Sequence, residues 1–209
     1  INVGSSAVTL VLAGLSIIEL SDAPAMAGMH TTLVAPLWTW LSSDSVTISV
    51  ALMLDQLSAV LLLLVVLLSG LLHLFTVGYA DEKHTYSRHS SYMHLFLFGM
   101  LVLLMAKNLL LLFVGWEFIA LSSFLLVSLR LDDLQSAARG SAVFVLHRIG
   151  SFALLLGIFL LLFYSQGDLD LLRLNSLFQT GGDLDPLTVP GSAEQAGARL
   201  AVVTTLAIL

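Results

Sequence analysis

The sequence predicts an all-α integral membrane protein whose helices cross the bilayer several times. Of its 209 residues, 58% are hydrophobic and only 11% are charged, whereas an ordinary soluble domain has about a quarter charged residues. The mean hydropathy is +0.99. Apolar runs near or above about 18 residues recur, long enough to cross a hydrocarbon core of about 30 Å. We therefore expect a polytopic transmembrane helix bundle of about five helices and the start of a sixth.

The hydropathy pattern divides this single transmembrane domain, residues 1–209, into helices and connections. Helices are predicted at about 4–20, 57–79, 91–107, 109–129, 140–164 and 198–209. In the polar, proline-bearing connection 21–56, the run SVTISVAL alternates as a strand of a small hairpin does. The leucine spacing at 168–179 predicts an amphipathic helix in the membrane interface. Because there is no initiator Met and the chain stops inside the apolar run RLAVVTTLAIL, we expect a fragment of a longer protein.

The distribution of basic residues predicts how the protein is oriented. The loops at 80–90 and 130–139 concentrate Lys83, Arg88, Arg130 and Arg139. These loops are therefore predicted to be cytoplasmic, or on the matrix or stromal side in an organelle. The connections 21–56 and 165–197 are predicted on the opposite, extracytoplasmic side. A bacterial inner membrane is the expected location, with an organelle membrane as the alternative.

Composition also excludes several classes of function. With no cysteine, disulfides, thiolate metal sites and thiol nucleophiles are excluded. The six histidines are scattered, and no HxxH or HExxH spacing places two imidazoles on one helical face as a zinc site requires. A net charge of −6 argues against nucleic acid as a partner.

Glu117 is the one ionisable residue in LLLLFVGWEFIALSSFLLVSL, residues 109–129. An ionisable group near mid-bilayer costs about 2.5–3.5 kcal/mol on insertion scales, which makes it a candidate functional residue. Arg148 is expected ~12 Å from the cytoplasmic end of the next helix, and Glu117 ~12 Å from the outer end of its own. A core of about 30 Å leaves the two about 6 Å apart in depth. We expect a direct or water-bridged ion pair, either a structural contact that fixes helix packing or a pair that gates a proton site.

Four other polar residues within or beside helices are weaker candidates. His73, in the cytoplasmic half of its helix, is either a proton relay or a neutral, hydrogen-bonded core histidine. His94 and His147 have the same two interpretations. Lys107, at a helix junction near the interface, is expected to extend its ammonium group towards water.

Two further features concern helix ends and packing. Asp55 precedes the second helix and is expected to cap it. The small residues Gly115, Ser122 and Ser123 are expected to permit close contact between helices.

Several motifs resemble one family. The segment GWEFIALSSFLLVSL is similar to the GWE helix of the large antiporter-like subunits of respiratory complex I, above all the L-type subunit, which is equivalent to the fifth mitochondrially encoded one. Similar motifs of that subunit match PLWTWLSSDSVTISVALMLDQLS, HLFTVGYADEKHTYSRHSSYMHLFLFGMLVLLMAKN and HRIGSFALLLGIFLL. The likeness runs from about 36 to 175 in the family's order, so the resemblance implies part of a larger antiporter-like fold.

The resemblance implies a role for each matching residue. The glutamate of the GWE helix, here Glu117, pairs in the family with a lysine of a later broken helix, which would lie beyond Leu209. The arginine of the RIG helix, here Arg148, is placed beside that glutamate in the same charge relay, and His73 has a family counterpart. The sequence departs from the family pattern at Ser151, where an acid is usual, at Lys107 and at His94, where an asparagine is usual.

The first functional hypothesis is a proton-translocating, antiporter-like membrane subunit of a complex I-type NADH:quinone oxidoreductase, non-catalytic itself within that translocase. No cofactor is expected in this chain; NADH, flavin, iron–sulfur clusters and quinone would be bound by partner subunits. The expected partners are other membrane subunits, the lipid bilayer and protons, or sodium. The second hypothesis is an Mrp-like cation/proton antiporter subunit, or an L-like subunit of another energy-converting complex such as a hydrogenase or an inorganic-carbon uptake complex. The third is a structural scaffold in which the ion pair only fixes packing.

Overall fold

A computed structural model describes residues 2–22, 32–43, 47–79, 83–129, 134–164, 169–172 and 174. Within these ranges the chain forms five helices and one β-hairpin. In chain order they are α1 (Asn2–Asp22), β1 (Leu33–Ser42), β2 (Thr47–Leu54), α2 (Gln56–Tyr79), α3 (Lys83–Leu104), α4 (Leu109–Val127) and α5 (Leu134–Tyr164). Four helices, all except α3, contain stretches long and apolar enough to cross a membrane. The protein is a multi-pass helical membrane protein.

Two helices begin earlier than the sequence predicts. The helix α3 begins at Lys83 rather than at 91, and α5 begins at Leu134 rather than at 140. The added turns, KHTYSRHS and LQSAAR, are polar but contain no proline or glycine to end a helix. Hydropathy marks where a segment becomes apolar, not where its backbone becomes helical. Residues 83–90 and 134–139, predicted as loops, are therefore helical.

The end of the third helix also differs from the prediction. The helix α3 ends at Leu104, so residues 105–107, predicted as helical, belong to a non-helical junction that runs to Asn108. The predicted helix 198–209 lies outside the described residues, as does most of the predicted interfacial segment 168–179. Leu171, Leu172 and Leu174 of that segment are helical.

The hairpin is antiparallel, with Leu33 opposite Leu54 and Ser42 opposite Thr47. The register shifts between Pro36 and Trp38 and again between Thr39 and Leu41. The first shift is next to a proline, which has no N–H to contribute to the ladder of hydrogen bonds. On β2, Ile48, Val50 and Leu54 are buried, while nearly all of β1 is exposed.

The junction between α3 and α4, residues 105–108, lies between two other segments. On one side, Met53 N donates to Met105 O (2.8 Å) and Lys107 N donates to Ala51 O (3.2 Å). On the other side, Leu171 N donates to Lys107 O (3.0 Å) and Leu109 N donates to Leu169 O (3.1 Å). The hairpin, this junction and residues 169–171 therefore lie at one end of the bundle, which we call the hairpin end.

Both helices that start at the hairpin end are capped by side chains. Asp55 Oδ1 accepts a hydrogen bond from Ser58 N (2.8 Å) at the start of α2, as its position predicts. Asn108 Oδ1 accepts from Leu111 N (2.8 Å) at the start of α4, and Asn108 Nδ2 donates to Ser49 O on β2 (2.6 Å). One buried amide thus orients α4 and attaches its start to the hairpin.

The cores between elements are small. One cluster, formed by α1, α2, α3 and the end of β2, includes Ala13, Leu62, Val66 and Leu97. Many apolar side chains on the outer faces of α2 and α5 are exposed, among them Phe75 and Phe152. In a membrane such faces contact lipid tails or neighbouring helices.

Candidate functional site

The first candidate site is an ion pair between α4 and α5. Arg148 Nη1 lies 2.8 Å from Glu117 Oε2, and the two side chains are 46% and 23% exposed, respectively. The other carboxylate oxygen, Glu117 Oε1, is buried and has no hydrogen-bond partner among the described residues. A buried polar atom without a partner is costly, so Oε1 is where a proton or a further donor would be stabilised.

Aromatic rings surround the pair. The Arg148 guanidinium carbon lies 5.1 Å from the centre of the Phe144 ring, one turn earlier on α5. Trp116 and His147, the neighbours of the two charged residues, contact each other at 6.3 Å between ring centres. A cation over an aromatic face is attracted to it, so Arg148 retains one favourable contact even when its bond to Glu117 opens.

Ser151 lies one turn after Arg148 on α5. It is only 4% exposed, and its hydroxyl has no hydrogen-bond partner among the described residues. A hydroxyl donates one hydrogen bond and accepts two. The hydroxyl is uncharged, so it does not compete with Glu117 for Arg148.

Close packing of α3 against α4 fixes the position of Glu117. A Cβ atom built on Gly115 would lie 2.6 Å from Leu103 N, and one built on Gly99 would lie 2.9 Å from Phe118 Cβ. Both distances are far below ordinary contact. Glycine is therefore required at these two positions, and the prediction that Gly115 permits close helix contact agrees with this geometry. Ser122 is fully buried and bonds to the backbone of its own helix.

A second polar cluster joins α1, α2 and α3. His73 Nε2 lies 3.0 Å from His94 Nδ1, with ring centres 4.2 Å apart. His94 Nε2 lies 2.6 Å from Ser5 Oγ, and His73 Nδ1 lies 2.8 Å from Ser69 O. His73 is buried, at 3% exposed. We call Ser5, Ser69, His73 and His94 the histidine cluster.

Lys107 does not simply extend towards water, as its position at a helix junction suggested. Its Nζ lies 3.1 Å from Asp170 Oδ2, and both side chains are about a quarter exposed, at 26% and 28%. The backbone bonds on either side of the junction bring the two residues together. The structure therefore assigns Lys107 a contact at the hairpin end, away from Glu117.

The six residues singled out from the sequence thus divide into three places. Glu117 and Arg148 form the ion pair, with His147 beside it. His73 and His94 form the histidine cluster, and Lys107 belongs to the hairpin end. Ser5 and Asp170 could not be predicted as partners, because each contact depends on packing between segments that are distant in the chain.

Ionisable groups paired inside a helical bundle define a class of membrane protein, because such groups are expensive in lipid and mark ion pathways. Within the described ranges, no three His, Asp or Glu side chains form a group able to hold a metal ion. The structure is therefore that of a polytopic membrane protein with an ion pair between two of its apolar helices.

Comparison with known proteins gives the family. Residues 106–208 match the family described as "NADH:quinone oxidoreductase/Mrp antiporter, TM". Residues 40–90 match the family described as "NADH-Ubiquinone oxidoreductase (complex I), chain 5 N-terminus". The chain belongs to this family of antiporter-like membrane subunits, and its resemblance to the L type is confirmed.

The relatives are subunits of quinone-reducing complexes. The chain is 36% identical over 153 residues to NADH-quinone oxidoreductase subunit L of Buchnera aphidicola subsp. Baizongia pistaciae, covering 73% of this chain and 24% of the relative. It is 36% identical over 135 residues to subunit L of Escherichia coli K12, covering 65% and 22%. It is 33% identical over 132 residues to NADH-ubiquinone oxidoreductase chain 5 of Chondrus crispus, covering 63% and 20%. The matches thus span about a quarter or less of each relative's length.

A solved structure supports the fold. A chain of the membrane-bound sulfane sulfur reductase, an archaeal respiratory membrane complex, superposes with a TM-score of 0.57. The identity is 21%, and the match covers 88% of this chain and 27% of that one. At this level of identity, the similarity supports the fold and says nothing about function.

Proposed function

We propose that the protein is a proton-translocating, antiporter-like membrane subunit of a complex I-type NADH:quinone oxidoreductase. The observation that carries the proposal is the ion pair of Glu117 and Arg148, with one carboxylate oxygen bonded and the other buried without a partner among the described residues. NADH oxidation and quinone reduction would take place in partner subunits. This chain would contribute a proton site whose occupancy depends on the charges around it.

The geometry supports a two-state proton site. With Arg148 at Oε2, the charges of the guanidinium and the carboxylate offset each other. When a proton binds at Oε1, the carboxyl becomes neutral and loses its attraction for the guanidinium. Arg148 then keeps its contact with the Phe144 ring. Movement of Arg148 and protonation of Glu117 are thereby coupled.

The size of this coupling can be estimated. Two unit charges about 4 Å apart interact by about 4 kcal/mol at an effective dielectric constant of about 20. Because the Arg148 side chain is nearly half exposed, the true value is smaller. Even about 2 kcal/mol changes the ratio of paired to separated Glu117 and Arg148 side chains by more than tenfold. A switch of this size needs no large helix movement.

The test is proton translocation by vesicles that contain the whole assembly, comparing wild type with Glu117→Gln. Glutamine keeps the shape and an acceptor for Arg148 but cannot release a proton. The matched control is Glu19→Gln, the same change at an exposed glutamate on α1. At equal assembly levels, Glu117→Gln is expected to lower the number of protons moved per NADH, and Glu19→Gln to leave it unchanged. Unchanged pumping in an intact Glu117→Gln complex would assign the pair a structural role and refute the proposal.

A second candidate is an Mrp-like cation/proton antiporter subunit, because the family matched at 106–208 includes Mrp antiporters in its description. The two candidates differ in what drives transport. Vesicles given a sodium gradient without NADH would move protons in the antiporter case. In the complex I case, proton movement would require NADH and a quinone.

A further inference from the structure

We propose that His73 and His94 act as one proton-binding unit, a site distinct from Glu117 and closer to the end of the bundle opposite the hairpin. It would carry one proton at a time and pass it between the two imidazole rings. The role of this unit in proton transport rests on the proposed function. The hydrogen bond between the two rings is tested without measuring pumping.

One assignment of ring protons satisfies every short contact in the histidine cluster. His73 Nδ1 faces the Ser69 carbonyl at 2.8 Å, so it carries a proton, and Nε2 of the neutral ring is an acceptor. His94 Nδ1 carries one proton, which it shares between the Ser90 carbonyl (2.8 Å) and His73 Nε2 (3.0 Å), and it is thereby the donor to His73. His94 Nε2 then accepts from the Ser5 hydroxyl (2.6 Å). The hydrogen bonds run in one direction, from α1 through α3 to α2.

This arrangement can move a proton without moving a helix. When His94 Nε2 binds a proton, the ring becomes a cation with both nitrogens protonated. It then transfers its Nδ1 proton to His73 Nε2, and the positive charge passes to His73 while His94 becomes neutral again. The pair has gained one proton in total, and no oxidant or other reactant is involved.

A second proton is opposed by the first. The ring centres lie only 4.2 Å apart, so two cations would repel each other strongly. Among the residues that the structure describes, His89 on α3 also acts on His73, and it too would oppose a second positive charge. The remaining groups that face His73 and His94 in the contacts described above are uncharged: Ser5 on α1, Ser69 on α2 and Ser90 on α3. One proton per pair is therefore expected.

The position separates this unit from the ion pair. The helices α2 and α4 both start at the hairpin end. His73 is 17 residues from the start of α2 and Glu117 is eight residues from the start of α4, distances of about 26 and 12 Å along the helix axes. Side chains lean towards the N-terminus of their own helix. Since α2 and α3 are antiparallel, His73 and His94 lean towards each other. On α3, Phe98 lies one turn after His94, and its ring centre is 5.2 Å from that of Phe118 on α4.

The test uses the full-length subunit in lipid vesicles, labelled with ¹⁵N-histidine and observed by solid-state NMR. We expect a coupling across the hydrogen bond between His73 Nε2 and His94 Nδ1, and a single protonation step that involves both rings as pH is lowered. His94→Asn and His73→Asn are each expected to abolish the coupling and to convert the remaining ring to an independent titration. Ser5→Ala is expected to shift the His94 Nε2 resonance. The control Thr76→Val, which loses only a bond to its own helix at Leu72 O, should change none of these signals.

Two independent titrations in wild type, each insensitive to substitution of the other histidine, would overturn the inference. The same variants are then compared for proton translocation in the whole assembly. If the pair is one unit, His73→Asn, His94→Asn and the double variant lower pumping to the same level, since residues that act together are not additive. If the NMR signature is present but pumping is unchanged in all three, the relay role is overturned. Loss of pumping in these variants alongside normal pumping in Glu117→Gln would refute the function proposed for Glu117 while leaving this unit standing.

Discussion

Replacing Gly115 with alanine should force α3 and α4 apart. The new Cβ would lie 2.6 Å from Leu103 N, 2.8 Å from Leu103 Cα and 2.9 Å from Leu103 Cβ. Two carbon atoms in ordinary van der Waals contact are about 3.5 Å or more apart, so the helices must separate by about 1 Å. Two of the three atoms are backbone, which a rotamer change cannot move.

The net cost is worked from two opposing effects. Overpacking a tight contact costs about 1–3 kcal/mol, while alanine gains up to about 1 kcal/mol over glycine in a helix. We expect Gly115→Ala to lower the free energy of unfolding by up to about 2 kcal/mol. The matched control is Gly70→Ala on α2, where an added Cβ meets nothing within 4 Å. That variant should be as stable as wild type or slightly more stable.

The assay is unfolding of the full-length protein in mixed micelles as the fraction of a denaturing detergent is raised, followed by circular dichroism. Gly99→Ala, which meets Phe118 Cβ at 2.9 Å, separates the same two helices. The double variant Gly99→Ala/Gly115→Ala should therefore cost less than the sum of the single variants. If Gly115→Ala unfolds at the same detergent fraction as Gly70→Ala, α3 and α4 are not packed at this distance and the reasoning fails.

Two further predictions concern the hairpin end. Lys107→Met should lower the free energy of unfolding by about 1 kcal/mol or less, because its partner Asp170 is partly exposed. Amide hydrogen exchange at 169–171 should become faster in this variant. The charge-reversed double variant Lys107→Asp/Asp170→Lys should restore slow exchange if the ion pair matters. Asn108→Ala should cost about 2 kcal/mol, since it removes the cap at Leu111 N and leaves the Ser49 carbonyl without its donor. Asn108→Ser keeps an oxygen that can cap Leu111 N without adding a charge and should cost less in the same detergent unfolding assay. An equal loss in both variants would show that the cap contributes nothing.

Much of the fold could be predicted because lipid imposes a simple rule on composition. The predicted bounds of α2 and α4 agree with the structure to within two residues at either end, since long apolar runs have few alternatives to a spanning helix. The start of α3 was missed by eight residues, because its first turns are polar and hydropathy does not detect a polar helix. From the sequence, only a boundary between two helices at Lys107–Asn108 is predicted. The non-helical backbone of 105–108 is not predicted, because hydrogen bonds to β2 and to 169–171 determine it.

The candidate site was predictable where one residue stood out against its surroundings. Glu117 and Arg148 are conspicuous in apolar helices, and antiparallel helix geometry brought them close enough to expect a contact. The pairing of His73 with His94 was not foreseen, because it depends on which faces of α2 and α3 meet. The ion pair of Lys107 could not be foreseen for the same reason, because its partner Asp170 is 63 positions away in the chain.

The junction at 105–108 also sets the direction in which Glu117 points. Leu52 pairs with Ala106 on one side and Asn108 pairs with Asp170 on the other, so both registers depend on the number of residues in this short segment. An α-helix turns by about 100° per residue. Adding or removing a single residue here would rotate α4 by that angle and turn Glu117 away from Arg148, unless both pairings slipped together. The length of a segment outside the helices is thus a determinant of the charge arrangement inside them.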